Sequence, residues 1–225
     1  MGRREYGQPC SLASALDSVG ERWALLIVRE LALGPLRFSD LDRAVGSAPT
    51  DVLTKRLRDL EADGIVERHE LAQPAPAVVY ELTEFGRGLE RPMIELARWG
   101  MGLQIAADVA NLPPSSLANG LRVILRPSAD FELTLAVRSG GEAFGLRFSD
   151  GWIEASRGLP TQPDLTLAGT PLQVIGALVG GEQIDLGAEV EGDRAALATL
   201  REMIEVPERL RDEALELLSA GTGAA

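Results

Sequence analysis

The chain has 225 residues, of which 45% are hydrophobic and 25% charged, and its formal net charge is −12. This is the composition of a globular protein, and the length gives room for two ordinary domains. No apolar run approaches the roughly 18 residues of a membrane span, and the start lacks the apolar core of a secretory signal, so a cytoplasmic protein with no membrane partner is expected.

The first part of the chain predicts helices. Apolar residues recur at helical spacing in SLASALDSVG (11–20) and in ERWALLIVRELALG (21–34), and each stretch ends at a glycine. A third, short helix is predicted in RFSDLDRAVG (37–46), where Ser39 and Asp42 have the spacing of a capping box.

The stretch PTDVLTKRLRDLEADGIVERHE (49–70) predicts a helix that runs into a strand. Pro49 suits the first helical position, and leucines at 53, 57 and 60 predict a buried stripe. Residues Asp51, Lys55, Arg58 and Asp59 point the other way, with Thr54 and Arg56 flanking them. A second strand, VVYEL (78–82), completes a hairpin with a proline-containing tip, and a helix broken or kinked at Pro92 follows from Thr83.

The spacing of apolar residues changes from a helical period to strand-like alternation in the second half of the chain. The segment NLPPSS (111–116) predicts a linker between a domain of residues 1–110 and one of residues 117–225. Closely spaced strands joined by Gly-rich turns predict an antiparallel meander, with strand candidates at 121–126, 131–138, 142–150, 151–158 and 164–169. A helix capped by Thr170, a strand in LGAEVEG (186–192) and two further helices complete an α+β unit.

The order of elements in residues 1–110 is that of a winged helix-turn-helix, in which the helix at 50–62 would enter the major groove of DNA. Neither half of the chain is basic, so contact with nucleic acid requires a local patch. The alternative is a solvated helix face in which Lys55 simply pairs with Asp59. The predicted DNA-binding residues are Ser39, Thr50, Asp51, Thr54, Lys55, Arg56, Arg58, Arg68 and His69. Among them, Arg56 is expected to reach phosphate, and Arg68 together with His69 is expected to contact the DNA backbone from the hairpin.

Three stretches of the first domain resemble the HxlR-type family of bacterial winged-helix regulators: CSLASALDSVGERWALLIVRELALGPLRFSDLDRAV, LTKRLRDLEADGIVER and VVYELTEFGRGL. The resemblance implies a homodimer that binds double-stranded operator DNA, with helices at both ends of the domain forming the dimer contact. Candidates for core or dimer contact are Leu12, Leu16, Trp23, Leu89, Ile94, Leu96 and Trp99. Two departures from the family pattern are Pro49, where a polar helix cap is usual, and the tip QPAPA, which has no basic residue to hold phosphate.

Cys10 is the only cysteine and His69 the only histidine. An intrachain disulfide and a zinc site built from several such residues are therefore excluded, and neither a metal nor a cofactor is expected. The family resemblance implies that Cys10 senses oxidants or electrophiles. The alternative is a free cysteine packed as a small apolar residue at the head of the first helix.

The second domain has no histidine or cysteine and no paired carboxylate motif, so no catalytic residues are predicted and an enzyme is not expected. Its stretches DLTLAGTPLQVIGALVGG and AEVEGDRAALATLREM resemble the sterol-carrier-protein-2-like fold. That resemblance implies a five-stranded, mainly antiparallel sheet with covering helices around a tunnel for an apolar ligand. The candidate ligand residues, whose alternative is an ordinary core, are Phe131, Phe144, Phe148, Trp152, Leu172, Ile175 and Leu178.

The sequence therefore predicts a dimeric, DNA-binding transcriptional regulator of α+β class that responds to an apolar small molecule in its C-terminal domain. Two alternatives remain. One is a redox-responsive regulator that senses through Cys10 and has a structural C-terminal domain. The other is a protein that binds and sequesters a lipid-like ligand.

Overall fold

A computed structural model describes residues 5–46, 48–71, 77–103, 113–180 and 186–221. The chain divides into two compact units, Met1–Met93 and Ile94–Ala225. The predicted linker at 111–116 stays a prediction, because residues 111 and 112 lie outside the described ranges, and a helix begins at Pro114. Among the described helices, none is long and apolar enough to cross a membrane.

The first unit contains helices followed by a small sheet, in the order predicted for a winged helix-turn-helix. Its three strands are arranged β1-β3-β2, and both pairings are antiparallel. The elements are α1 (Ser11–Val19), α2 (Ala24–Leu31), β1 (Leu36–Arg37), α3 (Phe38–Val45), α4 (Thr50–Ala62), β2 (Val66–Leu71), β3 (Ala77–Leu82) and α5 (Glu84–Arg87). Helix α6 (Glu90–Gly100) contains the point of division, and a 3-10 turn, Met101–Leu103, follows it.

The core of the first unit is formed by apolar faces of α2, α3 and α4. The predicted stripe on α4 is confirmed, since Leu53, Leu57 and Leu60 are almost fully buried. They belong to one cluster with Ile27 and Leu41, among others. Burying each such side chain contributes roughly 1.5–3 kcal/mol, so this stripe fixes which face of α4 is left for solvent.

Three predicted details at helix ends are wrong. The capping box at Ser39 does not form: α3 begins at Phe38, with the extended residue Arg37 at its N-cap, so Ser39 already lies inside the first turn. Pro49 occupies the N-cap of α4 rather than the first helical position. The break in the later helix falls at Gly88 and Leu89, and Pro92 is accommodated in the first turn of α6, where its missing N–H leaves no bond unmade.

The second unit is an α+β structure with one sheet. The five-stranded sheet is confirmed and has the order β6-β5-β4-β7-β8, in which β4 and β7 are parallel and the other pairs antiparallel. Its remaining elements are α7 (Pro114–Ile124), β4 (Leu133–Ser139), β5 (Glu142–Ser149), β6 (Trp152–Arg157), β7 (Leu165–Ala168), α8 (Pro171–Val179), β8 (Glu189–Gly192), α9 (Arg194–Glu202) and α10 (Glu208–Gly221).

The strand predicted at 121–126 is wrong. Residues 114–124 form α7, which begins with Pro114 in its first turn and buries Leu117 and Leu121 at the i, i+4 spacing of a helix. The Asn119-Gly120 pair, which favours a turn, lies inside the helix. Only Leu125, just beyond its end, is extended and forms a bridge with Ile204.

The helix starts of the second unit follow their sequence signals. Thr170 and Gln173 form a complete capping box at α8, with Pro171 in the first turn. The carboxylate of Asp193 caps α9 by accepting the N–H groups of Ala195 and Ala196 at 2.8 and 3.2 Å. Both caps satisfy amides that the first turn of a helix otherwise leaves unpaired.

Candidate nucleic-acid interface

The face of α4 opposite its leucine stripe is open to solvent. Thr50, Asp51, Lys55 and Arg58 are exposed, and Thr54 is half-buried. The Thr54 hydroxyl donates to the Thr50 carbonyl at 2.7 Å, so it is partly occupied within the helix. Pro49 offers no side-chain oxygen to the first amides, which leaves the amides of this helix start without a side-chain cap.

Two of the predicted basic residues share an acidic partner. Lys55 Nζ and Arg56 Nη1 lie 2.7 and 2.9 Å from the same oxygen, Asp59 Oδ2. Arg56 also reaches Glu21 Oε2 at 3.3 Å, and its side chain is only 14% exposed. A solvent-exposed pair is worth about 0–1 kcal/mol, so Lys55 can exchange Asp59 for a phosphate at little cost. Arg56 is held more firmly, because it has two acidic partners and is largely buried.

Arg58 differs from both. It is exposed, and within the described ranges it makes no ion pair or side-chain hydrogen bond. A cation in this position loses only water when it meets a phosphate. Arg58 is therefore the basic side chain of α4 best placed to contact DNA.

The β2–β3 hairpin, called the wing below, separates two residues that were predicted to act together. Arg68 pairs with Tyr80 and His69 with Val79, and successive strand residues point to opposite faces. Arg68 lies on the face that continues from the buried Val66, and His69 lies on the other. His69 Nε2 is 3.2 Å from Glu67 Oε1, so an acid stands beside it. Of the tip QPAPA (73–77), which has no basic residue, residues 73–76 lie outside the described residues.

The structure adds Arg37, which is not among the DNA-binding residues predicted from sequence. It ends β1, pairs with Val79 of β3 and is exposed immediately before α3, whose first turn carries the exposed Ser39. In the described part of the chain Arg37 has no ion-pair partner. A two-residue strand gives no periodic signal, and only the presence of a basic residue two positions before Ser39 hinted at this site.

Cys10 lies at the N-cap of α1 and is exposed. Its carbonyl accepts hydrogen bonds from the Ser14 amide at 3.0 Å and the Ser14 hydroxyl at 3.2 Å. The thiol is thus open to solvent rather than packed as a small apolar residue, as one sequence interpretation held. Arg3 and Arg4, its basic neighbours in sequence, lie outside the described residues.

The dimer candidates divide by exposure. Ile94 is buried, whereas Trp23 and Leu89 are half-buried. Four others are exposed despite their size, with exposed fractions of 67% for Leu12, 40% for Leu16, 50% for Leu96 and 69% for Trp99. On α1 and on α6 these side chains form apolar faces that the described residues of each unit leave in solvent.

The ligand candidates of the second unit also divide. Phe144, Phe148 and Leu178 are almost fully buried, which matches the core alternative for these three. The half-buried members are Phe131, Trp152, Leu172 and Ile175. The structure brings Phe131 and Phe148 together as an edge-to-face pair with ring centroids 5.6 Å apart. Trp152 instead contacts the buried side chain of Arg122, whose Cζ lies 5.5 Å from the centroid of the Trp152 ring.

Comparison with known proteins gives matches over the first half of the chain. Residues 18–107 match the family model for the HxlR-like helix-turn-helix. The uncharacterized HTH-type transcriptional regulator YybR of Bacillus subtilis (strain 168) is 40% identical over 91 residues, which are 40% of this chain and 73% of YybR. YtcD of the same organism, also an uncharacterized HTH-type regulator, is 37% identical over 100 residues, 44% of this chain and 78% of YtcD. The solved structure of the redox regulator HypR in its oxidized form is 37% identical, with a TM-score of 0.40, and covers 43% of this chain and 100% of that chain.

Proposed function

The chain belongs to the HxlR-like helix-turn-helix family, and we propose that it is a homodimeric transcriptional regulator whose binding to operator DNA is modulated by an apolar small molecule in its C-terminal domain. The observation that carries the DNA-binding part is α4, a helix anchored by three buried leucines whose opposite face presents Arg58 and Lys55 to solvent. The relatives are transcriptional regulators, which points to DNA binding rather than to an enzyme.

The dimensions of α4 support this role. A helix with its side chains is about 10–12 Å across and fits the major groove of B-DNA, which is about 12 Å wide. With the leucine stripe facing the core, Asp51, Thr54, Lys55 and Arg58 meet the groove. Further contacts to the backbone come from the small sheet, through Arg37 on the face that also carries His69 or through Arg68 on the opposite face. Because the whole chain repels phosphate, these few cations provide the attraction.

The exposed apolar side chains support a dimer. Leu12 and Leu16 are exposed four residues apart on α1, and Leu96 and Trp99 are exposed three residues apart on α6, so each helix presents an apolar face to solvent. A two-fold dimer places two copies of α4 at a fixed separation, which suits two half-sites one helical turn of DNA apart, about 34–36 Å.

The effector part rests on the second unit. Its five-stranded sheet, with α8 beginning at the Thr170 cap, agrees with the sterol-carrier-protein-2-like resemblance of the sequence. For a ligand there to change DNA affinity, it must bind more tightly to one arrangement of the dimer than to another.

A second candidate function is favoured by the exposure of Cys10. The only thiol of the chain is open to solvent at the head of α1, the same helix that carries Leu12 and Leu16. Oxidation there would add a bulky or polar group beside the proposed dimer contact. In this alternative the C-terminal domain is structural.

Fluorescence anisotropy of a labelled duplex from the region upstream of the protein's own gene tests these functions on the full chain. Release of DNA by N-phenyl-1-naphthylamine, an uncharged apolar probe, supports the ligand-responsive regulator. Release by diamide that is abolished in Cys10→Ser supports the redox regulator, and release that persists in Cys10→Ser excludes it. Absence of DNA binding would instead support a protein that binds and sequesters a lipid-like ligand.

A further inference from the structure

The second unit contains an open groove. Of the predicted ligand residues, only Phe131 and Phe148 line it. It lies where the first residues of β4, the last of β5 and the residue before β7 meet the start of α9. Its volume is about 590 Å³. That lies within the range of roughly 300–1,000 Å³ typical of small-molecule sites.

One wall of the groove is aromatic. Phe131 and Phe148 both line it and meet edge to face, with an angle of 87° between their rings. Phe148 is buried and cannot move without disturbing the core, whereas Phe131 is half-buried and exposes part of its ring to the groove. Ring faces of this kind attract both apolar groups and organic cations.

The polar lining of the groove is acidic. Glu132, Asp164 and Asp193 line it and carry three negative charges. Asp193 uses Oδ1 to cap α9, and Asp164 uses Oδ2 to accept the Thr134 amide at 2.7 Å, so each keeps one carboxylate oxygen for another donor. Glu132 is exposed and has no ion-pair or hydrogen-bond partner in the described part of the chain.

Of the described residues that line the groove, only Arg147 is a cation. Glu154, which does not line the groove, offsets its charge, because the Arg147 guanidinium donates to Glu154 Oε2 through Nε, at 3.1 Å, and through Nη2. This hydrogen bond and the charge of Glu154 raise the pKa of Arg147 above its usual value, and the charge of Glu132 adds to the same direction. The groove therefore keeps a negative field beside an aromatic wall.

We propose that this groove binds an organic cation that carries aromatic or other bulky apolar groups. The apolar part packs against Phe131, and the charge is met by Glu132 with the free oxygens of Asp164 and Asp193. A bare metal ion does not fit as well, since among the described residues no group of three or more His, Cys, Asp and Glu side chains is placed to hold one.

This inference extends the effector part of the proposed function by giving the effector a charge. It concerns a different place from the α8 residues Leu172, Ile175 and Leu178, none of which lines the groove. Ligand binding to the groove is measured without DNA. Failure of the groove proposal therefore leaves the proposed DNA-binding function intact, and failure of the DNA-binding function leaves the groove proposal intact.

Isothermal titration calorimetry of the full chain with tetraphenylphosphonium and tetraphenylborate tests the proposal. The two ions have nearly the same shape and opposite charge, so the comparison isolates electrostatics from apolar burial. We expect the phosphonium ion to bind at least about tenfold more tightly than the borate. Equal binding, tighter binding of the borate, or no binding of the phosphonium would overturn the proposal.

The control variants separate the groove from the general attraction of an acidic protein for cations. Glu132→Gln is expected to weaken phosphonium binding by about threefold to tenfold. Glu142→Gln, at the other end of β5 and also at an exposed position, removes the same charge from the chain outside the groove and should change binding by less than about twofold. Phe131→Ala should weaken both ions. An equal loss in the two glutamine variants would show that only net charge matters.

Discussion

Arg56 of α4 is joined to Glu21, 35 residues earlier in the chain, with Arg56 Nη2 3.3 Å from Glu21 Oε2. Arg56 Nη1 at the same time holds Asp59, so this guanidinium ties α4 to the turn before α2 and to the following turn of its own helix. The basic residues of α4 therefore have two tasks. Arg56 positions the helix, whereas Arg58 is left for a partner.

The first prediction concerns Arg58. Arg58→Ala should weaken binding to operator DNA and lower the slope of log K against log salt by about one, because one phosphate contact and its counterion release are lost. Fluorescence anisotropy at several salt concentrations measures both quantities.

Arg138 provides the matched control for Arg58. It is exposed on β4 of the second unit and makes no ion pair in the described ranges. Arg138→Ala removes the same charge from the chain without touching α4, so DNA affinity should stay within about twofold. If both variants lost affinity and slope alike, overall charge rather than Arg58 would explain the effect.

The second prediction concerns Arg56. Arg56→Ala leaves Glu21 and Asp59 without this donor and should lower the free energy of unfolding by about 1–2 kcal/mol. Urea denaturation of the full chain measures this. Glu21→Gln, which keeps a weaker acceptor at the exposed end of the contact, should cost less than about 0.5 kcal/mol. A variant of Arg56 with unchanged stability but reduced DNA binding would instead make it a phosphate contact, as the sequence predicted.

The elements with a strong periodic signal could be predicted from sequence. The leucines of α4 and the capped start at Thr170 each depend on residues close in sequence, and both formed as expected. Strand β1 could not be predicted, because two residues have no period and its pairing partner Val79 lies more than 40 positions away. Helix α7 could not be predicted either, because burial of Leu117 and Leu121 overrides the turn preference of Asn119-Gly120.

The candidate site was less predictable than the fold. The exposed face of α4 could be predicted, because the buried stripe defines it by exclusion. The contacts of Arg56 with Asp59 and Glu21 could not, since ion-pair geometry depends on tertiary contacts. Adjacent residues Arg68 and His69 were expected to act together, although strand alternation sends them to opposite faces.

The third prediction concerns Gly86 in α5. A Cβ at this position would lie 2.0 Å from the carbonyl oxygen of Ile65, so a methyl group cannot be added without moving backbone. Gly86→Ala should lower stability by about 3 kcal/mol or more. Gly100→Ala, where nothing lies within 4 Å of the new atom, is the control and should be well tolerated. Thermal unfolding followed by circular dichroism compares the two, and equal melting temperatures would contradict the close approach at Gly86.

The fourth prediction has the opposite sign. Gly120 lies inside α7, and nothing lies within 4 Å of an added Cβ. Gly120→Ala removes backbone freedom from the unfolded chain and should raise the free energy of unfolding by about 0.5–1 kcal/mol. A gain of this size in urea denaturation supports a helix at 114–124, whereas a loss would favour the strand or turn that the local sequence suggested.

The fifth prediction concerns Arg98, which caps the end of α7 from α6. Its Nε donates to the carbonyl of residue 123 at 3.0 Å, and Nη2 donates to those of residues 122 and 125 at 3.2 and 3.1 Å. The last carbonyls of a helix have no partner within it, and a cation there also faces the negative end of the helix dipole.

Arg98→Met keeps most of the length and apolar stem of this side chain and removes its donors, so it should lower the free energy of unfolding by about 2 kcal/mol. Glu95→Gln is the control, because Glu95 contacts Arg98 and Arg126 from an exposed position and should contribute less than about 0.5 kcal/mol. Hydrogen exchange of the α7 amides locates the effect. Faster exchange in Arg98→Met along α7, with exchange in β2 and β3 unchanged, is the expected pattern, and unchanged exchange in α7 would contradict the cap.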